Sequence, residues 1–125
     1  MEYVQWREML GAYLFTIAVE SAILWFALSR QHPPGRRLFA GVWLSTCTFP
    51  ILWIALPAAM YPDTPRWLFL LTGEGFVFAA ECALFWLAFD RRRSPAGDTL
   101  ADMLAIIVAN LASFLIPECW RWMNP

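Results

Sequence analysis

Apolar residues fill this chain in four long runs, roughly 9–29, 38–58, 66–89 and 99–120, and the charged residues cluster between them. Segments such as Ala22–Leu28 and Ile51–Leu56 are apolar at every position. The strands of a membrane barrel would instead alternate apolar and polar residues with period two, so the runs predict helices. About 20 residues at 1.5 Å each cross the hydrocarbon of a bilayer, and every run is that long. A helix also satisfies its backbone polar groups internally, which hydrocarbon demands. The pattern therefore predicts an all-α integral membrane protein, one domain over 1–125 built as a four-transmembrane-helix bundle. Acidic Glu2 and Glu8 precede a first run too long for a signal-peptide core, so the first helix is expected to persist.

Two of the runs are near-copies. Glu20-Ser-Ala-Ile-Leu-Trp-Phe-Ala-Leu-Ser-Arg30 recurs 61 residues later as Glu81-Cys-Ala-Leu-Phe-Trp-Leu-Ala-Phe-Asp-Arg91, with five identities. Phe15 with Phe76 and Ala18 with Ala79 extend the match at the same offset, and Pro34 corresponds to Pro95. The return helices agree more weakly: Ser45-x-x-Thr48-Phe49 aligns with Asn110-x-x-Ser113-Phe114 if the second copy carries four extra residues. The chain thus reads as two tandem helical hairpins, about 9–58 and 66–120. Helices one and three run the same way, so the repeats are parallel, with a pseudo-two-fold axis expected along the membrane normal.

Arginine placement sets orientation. Arg30, Arg36 and Arg37 occupy the first connection and Arg91, Arg92 and Arg93 the third, against Arg7, Arg66 and Arg121 on the other side. Connections one and three are expected in the cytoplasm and both termini outside it. The six arginines fix topology and can contact lipid head groups. Trp6, Trp67, Trp120 and Trp122 fall at the outer ends, as an aromatic belt would.

Composition agrees with a membrane protein of bacterial inner-membrane type. The 125 residues are 60% hydrophobic and 15% charged, with a mean hydropathy of +0.51. A net charge of −1 gives no reason to expect a nucleic-acid partner. Cys47, Cys82 and Cys119 form no Cys-x-x-Cys pair, so a redox relay, a zinc site or a disulfide framework is not expected. His32 stands alone in a connection before Pro33 and Pro34, which excludes paired-histidine haem ligation. No cofactor and no metal are expected. Hydrolase, kinase and nucleotide motifs are missing, and short connections leave no room for a soluble active site. An enzyme is not expected.

The candidate chemistry is carboxylate chemistry inside the membrane. Glu20 and Glu81 lie about eight residues from their helix ends, roughly 12 Å deep at helical rise. Thr48, Asn110 and Ser113 fall at similar depth, so polar groups from all four helices can meet in one layer. Tyr13, Thr16 and Glu20 form a stripe on helix one. Glu74, between Gly73 and Gly75, lies two turns from Glu81 on the same face. Together these residues predict a polar path from the outer face to mid-membrane. No lysine exists in the chain and, apart from Arg66 at the edge of the third, no arginine falls inside a run. Burial without a partner disfavours the charged form, so the glutamates are expected to hold protons unless hydrated or met by a cation.

Two uses fit. In one, Glu20, Glu81 and Glu74, with Asn110, Thr48 and Ser113 as hydrogen-bonding ligands, serve a proton- or cation-linked transporter or channel. In the other, the polar layer binds helices of a larger membrane complex and the chain is a non-catalytic subunit. A bundle this small encloses little volume, which points to a homo-oligomer or a larger assembly within the bilayer.

Overall fold

A computed structural model describes residues 6–60, 63–91 and 96–124, all of them helical or in short connections. Four helices account for nearly everything: α1 (Trp6–Ala27), α2 (Pro34–Met60), α3 (Arg66–Asp90) and α4 (Ala96–Met123). Each contains a span of 21 to 27 residues long and apolar enough to cross a membrane. The chain is a multi-pass membrane protein. Arg92, Arg93 and Pro95 lie outside the described residues.

Helix boundaries depart from the apolar runs where proline intervenes. The second helix begins at Pro34 rather than at residue 38, despite the polar Gly35-Arg36-Arg37 that follows. Proline at a first helical position is already in helical φ and gives up no hydrogen bond. Pro33, extended at φ −67° and ψ 159°, accepts from the N–H groups of Arg36 and Arg37 at 3.0 and 3.2 Å. Pro65 plays the same part before α3, at φ −57° and ψ 145°. The connection between α1 and α2 is residues 28–33, displaced toward the first helix from the 30–37 that the apolar runs leave between them.

Pro50 does not end α2. Its ring crowds the carbonyl four residues back and it has no N–H to donate. The helix answers with a π turn at Ile51–Ala55, where the Leu56 N–H reaches back to Ile51, and then continues to Met60. A second π turn, Trp86–Asp90, closes α3, with Arg91 N–H donating to Trp86 O at 2.8 Å.

The helices pack in a square. α1 lies against α2 and α4, and α3 lies against the same two helices from the opposite corner. α1 and α2 meet most closely at Gly41, where a Cβ would stand 2.8 Å from Ser21 Cα and strike Ser21 Oγ. Large apolar side chains such as Leu14, Phe26, Leu71 and Val108 point outward. On a soluble protein that surface would be a liability; around a membrane bundle it meets acyl chains.

Inside, the bundle is layered at four-residue spacing, the repeat that keeps side chains on one helix face. Glu20, Thr48, Glu81 and Asn110 form a buried polar layer. One turn toward the end that carries Arg30, Arg36, Arg37 and Arg91 (the basic end), Leu24, Leu44, Phe85 and Ile106 form an apolar layer, none more than 1% exposed. Leu28, Ala40 and Ala105 thicken that seal.

Gly41→Val should lower the unfolding temperature in detergent sharply, since overpacking a tight contact costs about 1–3 kcal/mol. Gly75→Ala, where a Cβ meets nothing within 4 Å, should leave it unchanged or higher. Equal melting of Gly41→Val and wild type would mean α1 and α2 do not pack this closely.

Candidate functional site

The polar layer is a closed set of donors and carboxylate acceptors. Glu20 on α1 accepts from Ser45 Oγ on α2 at 2.6 Å and from Ser113 Oγ on α4 at 3.0 Å. Glu81 on α3 accepts from Asn110 Nδ2 on α4 at 2.7 Å and from Thr48 Oγ1 on α2 at 2.8 Å. Each of the four carboxylate oxygens therefore has its own donor. Each glutamate draws one donor from the helix that follows it and one from the other hairpin. Both are 2% exposed, and among the described residues no arginine pairs with either.

Two of the donors have a second choice. Ser113 Oγ also lies 3.0 Å from the Asn110 carbonyl, and Thr48 Oγ1 lies 3.1 Å from the Leu44 carbonyl. A hydroxyl has one proton to give and lone pairs to receive. When the glutamate is ionised, the hydroxyl donates to it. When the glutamate is protonated, the carboxyl donates to the hydroxyl, which turns its own proton to the backbone carbonyl. Asn110 has two protons and uses them on Glu81 and on the Ile106 carbonyl, at 2.9 Å, in either state. The layer accommodates both charge states with its heavy atoms in place.

Above this layer lies a cavity of about 850 Å³. Its lining stops at Glu20 on α1, Ser45 on α2, Glu81 on α3 and Asn110 on α4, so these residues form its floor. The apolar layer beneath contributes nothing to it. The cavity extends instead toward the end where α1 begins and α4 finishes, past half-buried Glu74, to Arg66, Glu118 and Arg121. There Arg66 Nη2 reaches both Glu118 oxygens at 2.9 and 3.1 Å, and Arg121 adds a contact at 3.2 Å. Such exposed pairs contribute little stability but they border the mouth.

The sequence-predicted residues Glu20, Thr48, Glu74, Glu81, Asn110 and Ser113 all line this one cavity, and so does Thr16. Tyr13 does not belong to the path: its hydroxyl bonds Thr46 Oγ1 at 2.7 Å outside the cavity. Ser45 was legible only as the counterpart of Asn110 in the weaker repeat, and it makes the shortest bond to Glu20.

A second polar cluster closes the basic end. His32 Nε2 lies 2.9 Å from both Asp90 Oδ1 and Asp102 Oδ2, and all three residues are buried. Asp102 also accepts from the Ser29 N–H at 2.7 Å, Ser29 Oγ at 3.1 Å and Gln31 Nε2 at 3.4 Å. Arg36 Nη1 stands 3.3 Å from His32 Nδ1, and a guanidinium can only donate. In the tautomer that carries its proton on Nε2, Nδ1 accepts from Arg36 and the Nε2–H faces both aspartates. The three ligand-capable atoms lie within 4.8 Å of one another. A metal on Nε2, however, would put a proton on Nδ1, facing the Arg36 donor. The arrangement suits a proton better than a cation.

The basic-end arginines divide in role. Arg37 donates to the carbonyls of Trp25, Ser29 and His32, satisfying backbone acceptors that the end of α1 leaves open. Arg36 lies over the Phe89 ring, 5.2 Å from its centroid. Arg30 and Arg91 are exposed. The isolated histidine before two prolines gave no sequence sign of its burial. The clue lay in Asp102, a carboxylate inside the fourth apolar run with no basic residue close in sequence.

No protein-family model matches the chain, and no curated protein or solved structure does.

His32→Ala should destabilise the fold by roughly 3 kcal/mol, the cost of leaving one side of a buried pair without its partner. Arg30→Ala should change stability by under about 0.5 kcal/mol. Thermal unfolding of the purified variants in one detergent measures both. A His32→Ala protein as stable as wild type would remove the cluster from the forces that close the basic end.

Proposed function

We propose that this chain is a proton- or cation-linked transporter or channel of the inner (plasma) membrane. The observation that carries the reading is a pair of buried carboxyl groups forming the floor of a cavity that leads to one end of the bundle and is sealed at the other. A carboxylate in a membrane interior is expensive and tends to mark a pathway. Here two of them face shared space, and their hydroxyl partners suit either charge state. A cation arriving from the open end would take the place of the protons. One apolar layer and the His32 cluster separate that floor from the far side. This is the arrangement an alternating-access cycle needs in one of its two states.

The alternation of donors supports a further reading of the architecture: two tandem parallel hairpins about an axis along the membrane normal. Ser45 serves Glu20 as Asn110 serves Glu81, and Ser113 serves Glu20 as Thr48 serves Glu81. With the basic end in the cytoplasm and both termini outside, the cavity would face outward.

The assembly reading needs the carboxyl groups to be offered to a partner's helices. The internal satisfaction of all four oxygens weighs against that use, although the exposed Trp120 and Trp122 near the mouth leave a surface for a neighbour.

Reconstituted protein should carry a pH-gradient-driven cation flux that Glu20→Gln and Glu81→Gln each reduce at least tenfold, with melting temperature retained. An assembly subunit would tolerate Gln and fail with Leu. Wild-type flux in the double Gln variant would end the transport reading. Orientation has its own test: Gly35→Cys, in a cysteine-free background, should be labelled by an impermeant maleimide only after cells are opened.

A further inference from the structure

We infer that the cavity's ligand is a bulky apolar organic cation rather than a bare inorganic ion, an inference that rests on the transport reading and names its substrate class.

Three properties of the cavity lead there. The first is size. About 850 Å³ lies within the range of pockets that hold drug-sized molecules. A dehydrated metal ion needs oxygen ligands at about 2.0–2.6 Å on every side and would fill only a small part of this space.

The second is the inventory of hydrogen-bonding groups on the floor. Ser45, Ser113, Thr48 and Asn110 direct their protons at Glu20 and Glu81. Ligands that must be held by protein donors, such as anions or sugars, find those donors committed. What the floor offers on losing a proton is negative charge with, among the described residues, no counter-ion, and that suits a ligand bringing positive charge and few donors of its own.

The third is the wall. Phe15, Phe49, Trp53, Phe69, Phe114 and Trp120 surround the space above the carboxyl groups. Aromatic faces attract cations through the ring quadrupole and give apolar bodies a surface to displace water from. A small, strongly hydrated ion gains little from such walls. A delocalised cation with an aromatic or branched apolar body gains from the walls and the floor at once.

Binding is an exchange. The cation enters, a carboxyl O–H at the floor breaks and its proton leaves to the solvent at the mouth, and the resulting carboxylate accepts a hydrogen bond from the Ser113 or Thr48 hydroxyl. One proton leaves for each positive charge that arrives, so charge balances.

The test is equilibrium binding to the full-length protein in detergent micelles. The probes are tetraphenylphosphonium, its isosteric anion tetraphenylborate, tetramethylammonium and thallium(I). Expected are saturable tetraphenylphosphonium binding that weakens as pH falls, proton release into weak buffer on binding, and at least tenfold weaker binding of the other three. Glu20→Gln and Glu81→Gln should each weaken the phosphonium at least tenfold. Phe114→Ala should weaken it several-fold. Proton release by wild-type protein needs no variant, so a misfolded Gln mutant does not blunt the test. Binding of tetraphenylborate equal to that of tetraphenylphosphonium, or phosphonium binding indifferent to pH, would mean mere partitioning and overturn the inference. Thallium or tetramethylammonium binding as tightly as the phosphonium, with the same dependence on both glutamates, would also overturn it and leave cation transport standing. If no cation binds in a glutamate-dependent way and no flux depends on Glu20 or Glu81, the inference and the transport reading fall together.

Discussion

The need to satisfy two carboxyl groups within the membrane governs the rest of this bundle. Among the described residues no cation stands beside either glutamate, so hydrogen-bond donors must come from other helices. Glu20 reaches α2 and α4, and Glu81 reaches the same two helices from the opposite corner. Those four bonds define which helices are neighbours. They require α1 and α3 to lie on a diagonal, and they fix the rotation of all four helices about their axes. In hydrocarbon, where apolar contact discriminates poorly between helix faces, such directional bonds are what choose one packing among many.

The two buried polar clusters use different chemistry at different depths. The glutamate layer is made of groups that tolerate a change of charge and borders open space. The His32 cluster at the basic end, with Asp90, Asp102 and flanking arginines, mixes positive donors with acidic acceptors and is packed shut. Between them lies a single apolar layer headed by Leu24, Leu44, Phe85 and Ile106. A path through the molecule would have to part that layer and then break the histidine's contacts. The closed end is therefore held by a buried set of specific bonds, whereas among the described residues the ion pairs at the open end are those of the exposed Arg66–Glu118–Arg121 group.

Much of this was written in the sequence, and the reasons are physical. Four apolar runs of bilayer length left no alternative to helices, and glutamates within them had to be partnered. The sequence match of Glu20 with Glu81 pointed to the two carboxylates that the structure brings into one buried layer. What the chain did not disclose were contacts set by connections. Pro33 and Pro34 shorten the first turn so far that His32 is drawn inside, and nothing in the composition of Gln31-His32-Pro33 signals it. The register of Tyr13 was also misleading. Its spacing from Thr16 and Glu20 suggested a shared stripe, but three residues of helical drift carry its hydroxyl around to Thr46. Ser45 stood out only as the counterpart of Asn110, because a serine alone does not reveal that a carboxylate stands opposite.

The doubly placed hydroxyls of Thr48 and Ser113 separate two clocks. Gain or loss of a proton at the floor asks only for rotation about a carbon–oxygen bond, a motion of the fast, local kind. Movement of helices past one another belongs to the microsecond-to-millisecond range. The ionisation state of the floor can therefore equilibrate with its surroundings many times before the bundle rearranges, so each slow event begins from a settled population of charge states rather than from a frozen one.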